Sequence, residues 1–408
     1  MKIVHLTTHI SGGAGNFAAN VFKAGLKINN HQNYLFSLDS LKLNFFFSLY
    51  SSLLNRVYDK IYFLASSFKI LKYHHFFFGL YPSAIFKGKI TKELINVDVF
   101  FVYWISKFLD NQDLIYLKKM NPKAKFIFLS TDEAHFTGGC HYKFDCKEYK
   151  NLCTNCPGVN LIFLQKKIYK EFISKIKLHE KLNSLFVLPS SKLKKDFKNS
   201  FIINNYKNKV IPFGAYFEDE LNSFLHNRKN YLSNSNNTLN ILIRSSSEPR
   251  KGCQLFINSI KYLLASNFIR LDSFQLNIIG DNYLLDNGIS KMINTKFHGI
   301  VKRNRLLELY AESDVFIVTS EEDSGPIMIN ECSGLGVYIL STDVGVASDL
   351  INDDNGKIYD RNSGSLAESI KSLNLKNIRN FSMSHLESED FNNLTFEKFY
   401  WKIINEIN

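Results

Sequence analysis

Short apolar runs separated by longer stretches of helical pattern constrain this chain more than any other feature. Residues 4–6, 97–104, 125–129, 185–188 and 210–211 read as buried strands, and 239–243, 275–279, 315–318 and 337–340 repeat the style further on. The first intervening helix is expected over 16–28. Strands spaced by helices build parallel sheets, because a parallel crossover needs a helix and the helices then cover both faces of the sheet. The expectation is an α/β chain of two Rossmann-like, doubly wound domains. A length of 408 residues, 45% of them apolar, is enough for two or three hydrophobic cores. The polar run from Tyr231 to Thr238, just ahead of the strand at 239, is the best linker candidate. The domains are expected over 1–216 and 217–390, with a closing helix in 391–408 that can cross back to the first domain.

Charge divides along the same line. Residues 1–216 hold 31 Lys and Arg against 13 Asp and Glu, whereas 217–408 hold 19 against 25. An excess of cations confined to one half suits an anionic partner: nucleic acid, an acidic membrane surface or a phosphorylated substrate. Nucleotide-composition bias gives the same total but does not explain why the excess stops halfway. An aromatic content of 14% excludes intrinsic disorder, and only 20 Gly and 7 Pro exclude a collagen-like or mucin-like chain.

The opening Met1-Lys2-Ile3-Val4-His5-Leu6 is too short and too quickly polar for a signal peptide, and no uncharged run reaches the ~18 apolar residues of a spanning helix. The expected location is therefore cytoplasmic, soluble or peripheral on the inner face of the membrane. Residues 41–95 carry 14 Phe or Tyr and eight Lys or Arg. That pattern fits an interfacial segment on anionic lipid, and equally a pair of core helices in a Phe-rich protein.

Three strand-to-helix loops carry the residue types that bind anions. Ser11-Gly12-Gly13-Ala14-Gly15-Asn16 follows the first strand, where glycines let backbone approach a ligand and a helix start offers N–H groups. It falls short of the Gly-x-Gly-x-x-Gly fingerprint, and a tight turn explains it as well. Arg250 and Lys251, in Glu248-Pro249-Arg250-Lys251-Gly252, offer a forked donor and a point charge for a diphosphate; a solvated basic turn is the plain alternative. In the third loop Ser324 and Gly325 lead to Pro326 at the start of a helix that contains Glu331, with Asp323 ahead of it. Acids before a helix also simply complement its dipole.

The spacing Asp323–x7–Glu331 resembles the Glu–x7–Glu element of retaining GT-B glycosyltransferases, glycosyltransferase family 4 in particular. Phe297-His298-Gly299, Leu307 to Tyr310, Ser313 to Ser320, Thr342-Asp343-Val344-Gly345, Arg250-Lys251-Gly252, Pro189-Ser190, Ile211-Pro212 and Gly12-Gly13 fall where that family places similar residues. The resemblance implies a GT-B fold, two Rossmann-like domains facing across a cleft, and transfer of a sugar from a nucleoside-diphosphate-sugar to a glycan or a polyprenyl-diphosphate-linked oligosaccharide in surface polysaccharide or O-antigen biosynthesis. Carried over by position, Glu331 binds the donor ribose, Asp323 the transferred sugar, and Arg250 and Lys251 the diphosphate. Ser324, Gly325, Pro326, Gly12 and Gly13 complete the donor site with backbone donors, and no catalytic metal is expected. Two departures stand out. Asp323 is one methylene shorter than Glu, and the family's His-Asp after a first-domain strand reads Thr131-Asp132, leaving Asp132 as the catalytic candidate there.

Cys140, Cys146, Cys153 and Cys156 fall within 17 residues. Four close thiolates suit structural Zn, and Cys153-x-x-Cys156 has half-site spacing. Reduced cysteines packed in a loop, or disulfides, remain open alternatives, and His141 beside them is a loop residue or an alternative ligand. Cys253 and Cys332 read as packing residues. The anionic partners expected are the donor, the acceptor and an acidic membrane surface, not nucleic acid. The rival readings are a GT-B nucleotide-sugar epimerase, a basic nucleic-acid-binding protein with a Zn module, and a non-catalytic glycan-binding homologue.

Overall fold

The structure, a computed structural model, describes residues 1–28, 31–39, 60, 94–106, 108–201, 206–234, 237–266, 273–388 and 394–407. The chain forms two compact units, Met1–Ile211 with Tyr400–Asn408, and Pro212–Phe399. Nearly all of the aromatic stretch 41–95 lies outside the described residues.

The first unit is built on strands β1 (Lys2–Leu6), β2 (Gln32–Phe36), β3 (Val99–Val102), β4 (Lys125–Leu129), β5 (Leu185–Leu188) and β6 (Lys207–Val210), in the order β2-β1-β3-β4-β5-β6. The second is built on β7 (Leu239–Ser245), β8 (Phe274–Gly280), β9 (Thr295–Gly299), β10 (Val315–Val318), β11 (Tyr338–Ser341) and β12 (Gly356–Ile358), in the order β12-β11-β10-β7-β8-β9. Every pairing in both sheets is parallel. The α/β expectation of two doubly wound sheets holds.

Alternation along the central strands shows why the sheets are covered twice. Val315 and Ile317 of β10 join one apolar cluster with Ile241 and Ile243 of β7, while Phe316 and Val318 join another with Leu242. Residues two apart share a face, so a strand apolar at every position needs helices on both sides. In the first unit Phe100, Val102, Phe126 and Phe128 pack in one core, and their neighbours Val99, Phe101, Ile127 and Leu129 are buried as well.

The linker expectation fails in part. Tyr231 to Asn234 end the helix Glu218–Asn234, and the units divide between Ile211 and Pro212. Polar side chains anchor that helix from inside: buried Arg228 donates to the carbonyls of Ala311 (3.0 Å) and Ser313 (2.5 Å), and Tyr231 donates to Asp314 (3.1 Å). The run thus begins as the end of a helix, with Tyr231 half-buried and Ser233 and Asn234 exposed. The last helix, Phe396–Ile407, belongs to the first unit from Tyr400 onward, where the buried Tyr400 hydroxyl donates to Asn33 (3.1 Å).

Candidate functional site

In an open parallel sheet, ligands settle beyond the carboxyl ends of the strands where the strand order reverses, because the loops on either side diverge there. In the second unit that point lies between β7 and β10. The loop at 246–252 follows β7, and the loop at 319–326 follows β10 and runs into the helix Ile327–Gly334. The two loops are laced together. Thr319 donates to the Lys251 carbonyl (2.7 Å), and the Glu321 amide donates to the Arg250 carbonyl (2.6 Å). Gly252 has φ +67°, and a Cβ there would meet the Thr319 carbonyl oxygen at 2.0 Å. Gly345, with φ +50°, likewise lets its backbone close on Pro326 and Asp323.

This lacing brings three predicted residues into one charged cluster. Lys251 Nζ lies 2.5 Å from Asp323 Oδ2, and Arg250 Nη1 lies 3.4 Å from the same oxygen and 3.2 Å from the Glu322 carbonyl. Arg250 Nε is held by Glu248 at 2.5 Å. Burial alone would raise the Asp323 carboxyl, but Lys251 and Arg250 outweigh it and hold it below the usual range. Burial lowers the Lys251 ammonium, with Asp323 opposing. Beside them the Ser324 hydroxyl is buried without a hydrogen-bond partner.

Glu331 is organised separately. It sits in the helix Ile327–Gly334, 2% exposed, with Oε1 accepting from Arg303 Nη1 (2.9 Å) and Oε2 from the Tyr310 hydroxyl (2.9 Å). Its own carbonyl accepts from Tyr216. Arg303 is fixed in turn by Glu220 (3.1 Å) and the Ala215 carbonyl (2.7 Å). Burial works against the guanidinium charge, but Glu331 and Glu220 outweigh it and raise the Arg303 pKa. Burial pushes the Glu331 carboxyl above its ordinary value, with Arg303 and the Tyr310 hydrogen bond opposing. Sequence reasoning missed Arg303 and Glu220. Pro326 needs a correction, since proline carries no N–H. Backbone donors in this loop fall to Ser324, Gly325 and the first helical residues.

In the first unit Gly12 and Gly13 open the helix Gly12–Lys27, which starts earlier than the spacing predicts. A Cβ at either would meet nothing within 4 Å, so both present bare backbone to open space. Asp132 lies beyond the end of β4, with Oδ1 accepting from the Ala134 amide (2.9 Å) and Oδ2 2.5 Å from His141 Nδ1. Burial works to raise the Asp132 carboxyl; His141 more than offsets it, and the net direction is down. Lys175 pins the segment between these two residues, donating to the carbonyls of Ala134 (2.6 Å) and Thr137 (2.9 Å). A histidine ten positions late thus stands beside the aspartate whose preceding residue is Thr131.

The four clustered cysteines all lie in the first unit. Among the described residues no three His, Cys, Asp or Glu are placed to hold a metal ion, and all six cysteines are free thiols. Cys153 and Cys156 are buried in the first unit's core, and Cys140 packs against it. Without a bound cation, burial raises all four thiols, pushing Cys153 to about 12 and Cys156 to about 11.

Residues 238–375 match the family described as Glycosyl transferases group 1. The second unit carries a glycosyltransferase domain. No curated protein sequence matches the chain. Solved structures share the architecture over its full length, three of them as follows. A sucrose-phosphate synthase from Thermosynechococcus elongatus aligns with TM-score 0.61 at 10% identity, over 99% of this chain and 97% of that one. HepE from Anabaena, solved with UDP and glucose, aligns with TM-score 0.56 at 14% identity, over 100% and 99%. WaaG, a glycosyltransferase involved in lipopolysaccharide biosynthesis, aligns with TM-score 0.57 at 13% identity, over 100% and 99%. At these identities the likeness is one of fold, and that fold is GT-B. The glycosyltransferase domain contains both the Asp323 cluster and Glu331.

Proposed function

We propose that this glycosyltransferase is of the retaining, family 4 kind and moves a sugar from a nucleoside-diphosphate donor to a lipid-linked glycan in surface polysaccharide assembly, at the inner face of the cytoplasmic membrane. The cluster of Arg250 and Lys251 on Asp323, at the switch point of a parallel sheet, carries the reading. Transfer breaks the bond between the anomeric carbon and a phosphate oxygen, which gains charge as it leaves. Fixed cations aimed at that oxygen stabilise the transition state more than the ground state.

A diphosphate brings more negative charge than one carboxylate, so it takes Lys251 and Arg250 over from Asp323. Asp323 is then released to a hydroxyl of the transferred sugar. The Ser324 hydroxyl and nearby amides complete the phosphate contacts. Glu331, its carboxylate fixed by Arg303 and Tyr310, keeps lone pairs on both oxygens for the two ribose hydroxyls. The basic first unit takes the acceptor, with Asp132 as its candidate catalytic carboxylate, while Gly12 and Gly13 add backbone donors for the nucleotide-sugar. HepE with UDP and glucose, and the lipopolysaccharide role of WaaG, support the donor class and the pathway type.

Thermal-shift measurements against nucleoside diphosphates and their sugars test the reading, since a ligand selective for the folded state raises its apparent stability. At least one should raise Tm, and Lys251→Met should weaken its binding about a hundredfold, the scale of a lost charge-assisted contact. No shift with any nucleoside diphosphate would sink the proposal.

A further inference from the structure

The helix Ile162–Leu182 of the first unit turns one side to its core through Ile168, Phe172, Lys175, Leu178, His179 and Leu182. The opposite side is unusual. Ile162 is 75% exposed and Phe163 65% exposed, and Tyr169 is exposed as well. Among the described residues, Ile162 and Phe163 are the one pair of exposed large apolar side chains adjacent in sequence. Isolated exposed apolar residues are ordinary; a contiguous patch marks an interaction surface.

At 3.6 residues per turn, Ile162, Lys166, Tyr169, Ile173 and Lys177 stack one above another, with Phe163, Lys170 and Lys181 alongside. Lys166, Lys170, Lys177 and Lys181 are all exposed, and the one exposed acid of the helix, Glu180, lies in line with Ile162 at the far end of the same face, so the face carries four cations against one acid. The face is therefore apolar and cationic together, along 21 residues and about six turns. Lysine stems can lie along an apolar surface while their ammonium groups reach outward. A protein partner offers fixed acids at fixed places, whereas a bilayer surface offers hydrocarbon below and anionic headgroups above, over the length of a helix. Among the described residues no helix is long and apolar enough to cross a membrane.

We propose that this face of the helix Ile162–Leu182 lies on an anionic phospholipid surface, with Ile162, Phe163 and Tyr169 entering the headgroup boundary and the four lysines meeting lipid phosphates. The surface belongs to the half of the chain that holds 31 Lys and Arg against 13 Asp and Glu. It rests on the proposed membrane-side function only in giving that function a docking element; the binding itself requires no catalysis.

The test uses the full chain and vesicles of phosphatidylcholine, with or without phosphatidylglycerol. Wild type should co-sediment with the anionic vesicles and lose binding as salt is raised. Each lysine near such a surface contributes about fivefold, so Lys166→Gln with Lys170→Gln and Lys177→Gln should lower partitioning about a hundredfold. Ile162→Ser with Phe163→Ser should weaken binding at least tenfold, and Phe163→Trp should shift its emission to the blue on anionic vesicles alone. These positions are exposed, so Tm in the absence of lipid and any nucleoside-diphosphate shift should match wild type; that control separates failure of docking from failure of the donor site. Binding unchanged in both multiple variants overturns the assignment, as does binding to no vesicle, which would leave the face to a protein partner.

Discussion

A carboxylate buried in a protein can be a ligand group, a structural group or both, and Glu331 shows how to tell. Both of its oxygens already have partners, Arg303 and Tyr310. Removing one member of a buried ion pair typically costs about 3–5 kcal/mol, because the partner is left charged and undersolvated. Arg303 keeps Glu220 and the Ala215 carbonyl and is itself a third exposed. Glu331→Ala should therefore fall at or below the low end, about 2–3 kcal/mol in urea unfolding, while Glu331→Gln should cost less by keeping a group for Tyr310 to donate to. An unchanged midpoint for Glu331→Ala would mean the Arg303 contact does not hold in solution. Legibility follows from the same geometry. Asp323, Arg250 and Lys251 could be read from the sequence because each sits in a local motif on a strand-to-helix loop. Arg303 and Glu220 could not, since their contacts reach across 28 and 83 residues and no local pattern announces them. His141 lacked a signal too: it meets Asp132 only because Lys175 folds the intervening loop onto its helix.

Among elements, the strands that the sequence pattern revealed are mostly those flanked on both sides, and the missed ones, β2, β9 and β12, all stand at sheet edges or near them in the described order. Central strands such as Val315–Val318 are buried at every position, so they read as unbroken apolar runs. Gln32–Phe36 and Thr295–Gly299 have their apolar runs broken by polar residues, and Gly356–Ile358 is three residues long. An edge strand needs less apolar surface and so leaves a weaker trace. The loops between elements are set instead by close approach. Gly252→Ala would drive a methyl into the Thr319 carbonyl and force φ +67° on a residue with a Cβ. The expected loss is about 1–3 kcal/mol, with displacement of Arg250 and Lys251 from Asp323. Thermal unfolding measures the first effect and nucleoside-diphosphate titration the second. If Gly252→Ala matched wild type in both, the two loops would be less tightly laced than the hydrogen bonds of Thr319 and Glu321 indicate.

For the whole molecule, the two units should answer acid differently. The first unit buries His5 and His179 almost completely, and burial lowers them from 6.5 to about 4 and about 3. His5 Nε2 donates to Asn33 Oδ1, which also accepts from Tyr400, so an added proton goes to Nδ1 and forces the buried Tyr103 hydroxyl from donor to acceptor. A histidine buried neutral binds its proton more readily unfolded. Its contribution is complete above pH 6.5 and declines as pH falls toward the folded value, by about 1.4 kcal/mol per pH unit for each group. The second unit has His298, lowered in the same direction but half-buried and better screened, so its effect is smaller. Its lowered carboxylates, Asp281 and Asp323, start from 3.8 and lose their contribution only below that. The first unit should therefore weaken from pH 6.5 down to about 3, most steeply above 4 where both histidines contribute, and the second below about pH 3.8. Both tryptophans, Trp104 and Trp401, belong to the first unit, so emission reports on it alone while far-ultraviolet circular dichroism reports on both. On acid titration the emission maximum should move to the red with a partial loss of helical signal, the remainder following at lower pH. His5→Gln should delay the first step to lower pH and leave the second unchanged. A single coincident transition by both probes would show that the units unfold together and that the buried histidines do not set the order.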